Sequence, residues 1–375
     1  MKALIVTPYY FPTIGGLENY ARQLNAALKL HASWEIVIVT SHAGRSVIKE
    51  TVDGNQIYRL GTLFKLSNTP FNPAWPLQMR RIIRSERPDV IIAHSPVPSL
   101  ADAVSLVRGR TPFIVVYHAT TLLKAGSPLF NMAARLYGLM GARTLVRADR
   151  IFAVSDYVRE HLPAAQQAKA VVVPNAVWSH EIVARKQPAE PRFIFIASLA
   201  KSHAWKGLSQ ILEAVAAYRR RYGAPVFLTA MGDGDMRGAY EAQARDLGIE
   251  DAVTFVGAKV GADKDHLINE AMGMLVYPTT ENDAFPTVML EAWARAVPVI
   301  SARIGALTSL VRDGLDGLIC EAKNPEKLAE AMHALVAMPA AQRADIARNA
   351  AERTRNHYTW EIQAAQVQHE TEALL

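Results

Sequence analysis

The sequence contains very little cysteine and no long apolar run. Cys320 is the only cysteine among 375 residues, so neither an intramolecular disulfide nor a cysteine-rich zinc site can form. No stretch approaches the roughly 18 consecutive apolar residues that a membrane span requires, and the apolar run at the N-terminus is too short for a signal-peptide core. We therefore expect a cytoplasmic protein, with peripheral binding to the inner face of a membrane still open to it.

Biased composition is absent as well. With 21 Gly, 20 Pro and half of its residues apolar, the chain differs from collagen-like, low-complexity and disordered sequences. At roughly 150 residues per domain, its length predicts two domains, each large enough to bury a core.

The two halves of the chain differ in net charge, and only the first half is net positive. Residues 1–178 hold 20 Lys and Arg against 10 Asp and Glu, whereas the remaining residues hold 21 against 25. A basic surface attracts nucleic acid, anionic lipid and phosphorylated substrates alike. Because no zinc-finger, RNP or basic-zipper pattern is present, we expect no nucleic-acid partner.

Short β-branched runs alternate with amphipathic stretches along the chain, which predicts parallel sheets covered by helices on both faces. The predicted strands are 2–7, 34–40, 90–94, 113–117, 150–154 and 170–173, followed by 192–197, 226–230, 253–256, 274–277, 299–301 and 317–320. The fold class is α/β, with two tandem Rossmann-like, doubly wound domains. Ligands bind such sheets at the carboxyl ends of the strands, so we expect the two domains to face each other across a cleft.

The domain boundary is predicted after Val173-Pro174-Asn175-Ala176. Residues 177–191 lack sustained periodicity and end in prolines, as a linker does. The N-terminal domain then spans 1–176 and the C-terminal domain 192–355. Residues 356–375 are predicted to form a helix that returns to the N-terminal domain.

Two strand-to-helix loops have the composition of anion-binding sites. The first contains Gly15 and Gly16 at a predicted helix start, where backbone N–H groups can face an anion. The second carries Ser198, Lys201 and Lys206, whose ammonium groups suit diphosphate oxygens. A tight turn and two solvated lysines are the alternatives. A third loop carries Asp233 and Asp235 among glycines; it lacks the dinucleotide fingerprint, and we interpret it as a capped turn.

The most informative segment is 277–294. A strand ends near Pro278, and a helix is predicted near Pro286 because proline is favoured in the first turn. Asp283 then lies in the loop and Glu291 lies more than one turn into the helix, so the two carboxylates can contact separate parts of an elongated ligand. Sugar hydroxyls donate to ionised carboxylates. The alternative is a helix cap at Asp283 and a solvated Glu291.

Together these segments resemble the retaining, nucleotide-sugar-dependent glycosyltransferases of the GT-B fold, of the family 4-like type. The resemblance covers nearly the whole chain, with the motifs in the expected order. It is carried by Gly15–Glu18, Val173–Ala176, Met231–Gly234, the acids Asp283 and Glu291, Ala296–Ile300, Asp313, Gly314 and Gly317.

The resemblance implies roles for individual residues. Lys206 would neutralise the donor diphosphate, Glu291 would hold the ribose hydroxyls, and Asp283 would contact the transferred sugar. His118 would face that sugar from the first domain, which makes His118, Lys206 and Asp283 the implied catalytic residues. The implied donor contacts also include Gly15, Gly16, Ser198, Lys201, Lys264 in the loop after Val256-Gly257, Phe285, Pro286, Thr287 and Val288.

The implied reaction transfers a hexose from a nucleotide diphosphate sugar to an acceptor hydroxyl with retained configuration, on a lipid-linked or phosphorylated acceptor, without a metal or other cofactor. Two residues depart from the family pattern: Asp283 stands where Glu is usual, and Ser198 where Arg is frequent, with Lys201 as the substitute cation. A sugar-nucleotide epimerase of the same fold and an inactive nucleotide-sugar binding protein stay open as alternatives.

A basic helix is predicted beside an apolar segment in the first half. Arg80, Arg81 and Arg84 share that helix, Arg87 follows it, and the preceding segment runs from Leu63 through Phe71 to Trp75. Basic residues beside apolar ones suit an anionic membrane surface. The alternative is a solvated helix face with Trp75 packed inside.

Overall fold

The computed structural model describes residues 1–13, 15–66, 69–98, 100–120, 128–183, 188 and 190–375. These residues form two compact units. The first comprises Met1–Asn175 and Trp360–Leu375, and the second comprises Ala176–Thr359. Each unit is built around its own parallel sheet, so the predicted α/β class with two Rossmann-like units is confirmed. Residues 184–187 and 189 of the predicted linker lie outside the described residues.

The first unit is organised around a sheet that is parallel except at one edge. Its strands are β1 (Lys2–Val6), β2 (Glu35–His42), β3 (Ile48–Val52), β4 (Asn55–Gly61), β5 (Phe64–Leu66), β6 (Thr69–Phe71), β7 (Val90–Ser95), β8 (Phe113–Tyr117), β9 (Arg150–Ala153) and β10 (Ala170–Val172). Its first six helices are α1 (Gly16–Ala32), α2 (Trp75–Glu86), α3 (Leu100–Val107), α4 (Pro128–Arg147), α5 (Asp156–Glu160) and α6 (Ala164–Gln167). The strand order is β10-β9-β8-β7-β1-β2-β4-β3, and β5 pairs with β6 separately.

Four strands of this unit were missing from the sequence prediction. β3 and β4 form an antiparallel pair at the sheet edge, joined by Asp53 and Gly54, which both have positive φ, 51° and 69°. An Asp-Gly pair with two left-handed residues is the typical two-residue hairpin connection. A reading based on strand–helix alternation overlooks such hairpins, including the short β5–β6 pair, because no helix separates their strands.

The second unit has an entirely parallel sheet in the order β13-β12-β11-β14-β15-β16. Its strands are β11 (Arg192–Ile196), β12 (Phe227–Met231), β13 (Val253–Gly257), β14 (Gly273–Val276), β15 (Val299–Ala302) and β16 (Gly317–Cys320). Its helices are α7 (Leu208–Tyr222), α8 (Arg237–Asp246), α9 (Gly261–Glu270), α10 (Thr287–Ala294), α11 (Leu307–Leu310), α12 (Pro325–Ala337) and α13 (Ala340–His357). The strands β14 and β15 are buried along their whole length, as expected for strands covered on both faces.

The last helix, α14 (Trp360–Glu372), packs against α1 in the first unit. It starts at Trp360 and not at 356, because α13 continues to His357 and Thr359 forms an isolated bridge with Val177. The Trp360 ring is 2% exposed and meets Tyr20 edge-on, with centroids 5.4 Å apart. Within the described residues, no helix is both long and apolar enough to cross a bilayer.

Candidate active site

Two loops meet at the carboxyl edge of the second sheet. The loop after β11 contains a 3-10 helix, Lys201–Lys206, and Thr279 N, in the loop after β14, donates to Trp205 O at 2.7 Å. At Gly207, which has φ 88°, an added Cβ would lie 2.0 Å from the carbonyl oxygen of Tyr277. This close backbone contact fixes the position of Lys206 relative to the loop after β14.

Lys206 and Asp283 form a close ion pair. The distance from Lys206 Nζ to Asp283 Oδ2 is 2.5 Å, and the two side chains are 26% and 11% exposed. The same ammonium group lies 4.4 Å from the ring centroid of Trp205, an arrangement in which the indole face adds to the attraction. Lys206 is therefore held in place at the start of α7, whose first residues have no side-chain cap.

A second ion pair joins α9 to α10. Lys264 Nζ lies 2.8 Å from Glu291 Oε1, and both side chains are about a quarter exposed, 25% and 22%. The other carboxylate oxygen, Glu291 Oε2, is buried and accepts no hydrogen bond from the described residues. The prediction that Lys264 lies in a loop is wrong, because Lys264 lies in α9. The first turn of this helix contains Asp263, and acidic residues are favoured near a helix N-terminus.

Arg295 secures the same two helices and was missed by sequence reasoning. Its guanidinium lies 2.6 Å from Asp265 Oδ1 in α9, and its Nη1 donates to Glu291 O at 3.3 Å. The residue is only 7% exposed. Asp265 and Arg295 are separated in the sequence by β14 and α10, so no local pattern signals the contact.

The glycine turn after β12 lies directly against the backbone of the loop after β11. Gly232 and Gly234 have φ of 147° and 157°, and added Cβ atoms would lie 1.8 Å from Ala197 O and 2.3 Å from Leu199 C. Asp235 Oδ1 accepts from Lys201 N at 2.7 Å, so this acid caps the 3-10 helix. Among the described residues, no group of three or more His, Cys, Asp or Glu is placed to hold a metal ion.

The other predicted donor contacts occupy the same edge of the sheet. Ser198 Oγ accepts from Ala200 N at 3.3 Å, and Lys201 is exposed, with no ion pair to any described residue. Phe285 and Pro286 are buried, and the Phe285 ring meets Tyr358 edge-on at 5.6 Å. Thr287 and Val288 are half-buried in the first turn of α10, which has no side-chain cap. Uncapped N–H groups of this kind bind anions.

In the first unit, the predicted residues lie at the carboxyl edge of its own sheet. Gly15 precedes α1 with extended backbone, and Gly16 is the first helical residue. His118 follows β8, and its Nε2 lies 2.8 Å from Nδ1 of His94, at the end of β7. Burial lowers the pKa of His118 to about 3 and, together with the neighbouring His118, lowers the pKa of His94 well below its ordinary value. Both rings are therefore neutral near pH 7, and one donates to the other. Sequence reasoning missed His94.

Comparisons with known proteins match the two units separately. Residues 14–178 match the family model described as Glycosyltransferase Family 4, and residues 180–353 match the model described as Glycosyl transferases group 1. The chain belongs to the GT-B glycosyltransferases. This glycosyltransferase is 25% identical over 376 residues to phosphatidyl-myo-inositol mannosyltransferase from Mycobacterium leprae, a match that covers 98% of this chain and 95% of that relative.

Solved structures share the fold of this glycosyltransferase over its whole length. Sucrose-phosphate synthase from Thermosynechococcus elongatus superposes with a TM-score of 0.79 at 18% identity, covering 100% of this chain and 99% of that one. The Anabaena protein HepE, in complex with UDP and glucose, gives 0.75 at 16% identity, covering 100% of both chains. The comparisons favour a transferase over the epimerase and over an inactive binding protein.

Proposed function

We propose that this glycosyltransferase transfers a hexosyl group from a nucleotide diphosphate sugar to an acceptor hydroxyl, with retention of the anomeric configuration. The observation that carries the proposal is the buried Glu291 Oε2, which lacks a hydrogen-bond partner among the described residues while Lys264 occupies the other oxygen. A buried, unpartnered carboxylate oxygen is unfavourable unless a ligand donates to it. A ribose hydroxyl is such a donor.

The diphosphate group of the donor is assigned to the starts of α7 and α10. Lys206 supplies a fixed positive charge beside the uncapped N-terminus of α7, and the first turn of α10 adds backbone donors. Lys201, which is exposed, supplies a second charge in place of the Arg that the family pattern often has at the position of Ser198. A structural neighbour, HepE, is described in complex with UDP and glucose, and the mycobacterial relative is named a mannosyltransferase, which supports a hexose donor.

The chemical step breaks the bond between the anomeric carbon and the diphosphate oxygen, and forms a bond from that carbon to the acceptor oxygen. The proton of the acceptor hydroxyl passes to the departing diphosphate. The departing diphosphate gains negative charge, which Lys206 stabilises most strongly as the bond breaks. Asp283 orients Lys206 and accepts from a sugar hydroxyl; we assign neither acid as a covalent nucleophile. His118 keeps its assignment to sugar binding and acts as a neutral hydrogen-bonding group. We assign the neutralising charge to lysines and propose that no metal is required.

A donor panel tests this proposal. UDP- and GDP-hexoses are incubated with the protein, with and without a bacterial lipid extract, and release of nucleoside diphosphate is measured. Release that depends on the extract, with the product keeping the anomeric configuration of the donor by NMR, is the expected result. An inverted product rejects retention, and activity lost in EDTA and restored by Mg²⁺ or Mn²⁺ rejects metal independence.

We also propose that the protein works at an anionic membrane surface. The apolar side chains Leu63, Phe64, Phe71 and Leu77 are 53%, 53%, 39% and 54% exposed, at the β5–β6 pair and on α2. The basic residues beside them are also exposed and form no ion pair with the described residues: Lys65, Arg80, Arg81, Arg84 and Arg87. Trp75, predicted as a possible part of this surface, is instead buried, and its Nε1 donates to Gly61 O at 3.0 Å.

The exposed residues of α2 are spaced so that they lie on one face of the helix. Leu77, Arg80, Arg81 and Arg84 lie on one helix face, whereas Met79, Ile82 and Ile83 are buried on the other. Each basic residue near an anionic surface contributes about 1 kcal/mol. Co-sedimentation with phosphatidylglycerol vesicles is expected to weaken at high salt and to fail in the Arg80, Arg81, Arg84 triple-alanine variant. Equal binding to neutral vesicles, or none to either, rejects the surface.

A further inference from the structure

An open cavity of about 510 Å³ lies in the first unit, between α4 and the carboxyl ends of β7 and β8. This volume falls within the roughly 300–1,000 Å³ of small-molecule sites. None of the residues assigned to the donor is among the described residues that line the cavity, including Gly15, Gly16 and His118 of the same unit.

The wall formed by α4 is long and mostly apolar. Its lining residues run from Ala134 to Val146, a length of about 18 Å at 1.5 Å per residue. Most are small or aliphatic, among them Gly138, Ala142 and Leu145, and no carboxylate is among the described lining residues. An extended apolar chain fits a wall of this kind better than a compact polar group does.

The opposite wall carries hydroxyl groups and is held in place. Ser95, Tyr117 and Thr120 line the cavity at the strand ends. Tyr117 is adjacent to His118 in the chain, and Ser95 O accepts from His118 N at 2.9 Å. Tyr137, from α4, donates to Asp102 Oδ2 at 3.0 Å. Burial and the adjacent Asp102 raise the pKa of Tyr137, so its hydroxyl stays a neutral donor. The cavity is therefore largely preformed, with its polar groups next to the proposed sugar-binding histidine.

One cation is among the described residues that line this cavity. Arg135 is exposed, lines the cavity, and forms no ion pair with the described residues. A guanidinium group binds phosphate in a bidentate manner. We infer that the cavity binds the apolar chain of a phosphorylated lipid acceptor, with Arg135 at the phosphate and the hydroxyl-bearing head toward His118. This inference rests on the proposed function and specifies its acceptor.

Alkyl phosphates probe the cavity without any donor. Decyl phosphate, octyl phosphate and inorganic phosphate are titrated into the full-length protein by calorimetry. Because each buried methylene contributes about 0.8 kcal/mol, affinity should rise by about fourfold per added methylene. Decyl phosphate that binds no more tightly than inorganic phosphate overturns the inference.

Two pairs of matched variants locate the binding. At Gly138 an added Cβ meets nothing within 4 Å, so Gly138→Leu fills the cavity without a backbone clash and should weaken decyl phosphate binding at least tenfold, while Gly138→Ala weakens it less. Arg135→Met should weaken decyl phosphate binding similarly. Arg143 is an exposed arginine of α4 that does not line the cavity, so Arg143→Met should leave this binding unchanged. Unchanged binding in both Gly138→Leu and Arg135→Met rejects the site.

Further controls separate this inference from the other proposals. Binding of decyl phosphate should persist in the Arg80, Arg81, Arg84 triple variant, and its loss there assigns the ligand to the membrane surface instead. UDP and GDP affinities should be unchanged in Gly138→Leu. A protein that binds decyl phosphate but transfers no sugar rejects the proposed function alone. Equal transfer to acceptors with and without an alkyl chain rejects the cavity alone.

Discussion

Lys206 is held on one side by the Asp283 carboxylate and on another by the Trp205 ring. We expect Lys206→Ala to reduce kcat by roughly 30- to 1,000-fold, because the departing diphosphate loses a preorganised positive charge worth about 2–4 kcal/mol. Steady-state kinetics at saturating donor measure the effect. Lys327→Ala, which removes an exposed lysine 2.7 Å from Glu330 on α12, is the control, and a near-normal kcat for Lys206→Ala would contradict the assignment.

Glu291 offers a test of nucleoside binding that requires no turnover. In Glu291→Gln, Lys264 should draw the amide oxygen toward itself and leave the NH₂ group where a ribose hydroxyl needs an acceptor. Since hydrogen bonds to charged groups contribute about 1.5–3 kcal/mol, the affinity for the nucleoside diphosphate should fall roughly 10- to 150-fold. Calorimetry with UDP and GDP measures it. Unchanged affinity, with the fold intact by circular dichroism, would assign Glu291 to structure only.

The histidine pair makes stability depend on pH. Because burial lowers the pKa of His118 from 6.5 to about 3, the unfolded chain binds more protons than the folded one between these values. The stability due to the neutral ring is fully present above pH 6.5 and is lost as the pH falls toward 3. The Tm of the wild type should therefore fall more between pH 7 and pH 5 than that of His118→Asn, in which an amide can still bond His94. Parallel Tm profiles would show that His118 titrates normally.

At the scale of elements, the two glycines that flank α7 allow the effect of a close backbone contact to be separated from that of a positive φ. Gly207 and Gly223 both have positive φ, 88° and 59°, but only at Gly207 would a Cβ meet the backbone, 2.0 Å from Tyr277 O. Gly223→Ala should therefore cost about 1 kcal/mol of stability from backbone strain alone. Gly207→Ala should cost several times more and abolish activity, since the Lys206 loop must move. Chemical denaturation and initial rates measure both variants, and equal losses would show that the close contact is unimportant.

The strands that alternate with helices could be predicted from the sequence, and those in hairpins could not. Every predicted strand of the second unit is present, because buried parallel strands are continuous apolar runs bounded by turn residues. The β3–β4 pair is only partly buried and has mixed composition. Its only local signal is the Asp53-Gly54 turn.

In the candidate site, the positions of the charged residues could be predicted from the sequence, whereas their ion-pair partners could not. The positions of Lys206, Asp283 and Glu291 followed from strand-to-helix junctions, which local sequence patterns mark well. Their partners did not, because the pairing of Lys206 with Asp283 and of Lys264 with Glu291 joins residues 77 and 27 positions apart. Such pairs depend on the order of neighbouring strands in the sheet, and that order cannot be predicted from composition.

At the scale of the whole molecule, the first unit depends on a helix from the far end of the chain. Trp360→Ala should destabilise it by about 3–5 kcal/mol, because a buried indole is replaced by a cavity beside Tyr20. Hydrogen exchange should speed up in α1 and not in the second unit. Ile362→Ala, on the same helix but 38% exposed, should change exchange little. Faster exchange throughout the chain would contradict this local effect.

This dependence also sets an order of events during synthesis. The second unit is one continuous segment, Ala176–Thr359, whereas the first is completed only by Trp360–Leu375. At translation rates of about 5–20 residues per second, the first 175 residues wait about 10–40 s for their last helix. During that interval the surface of α1 that receives Trp360 is uncovered. The segment of the second unit is thus synthesised in full before that of the first, and the N-terminal unit is the one that needs protection from aggregation.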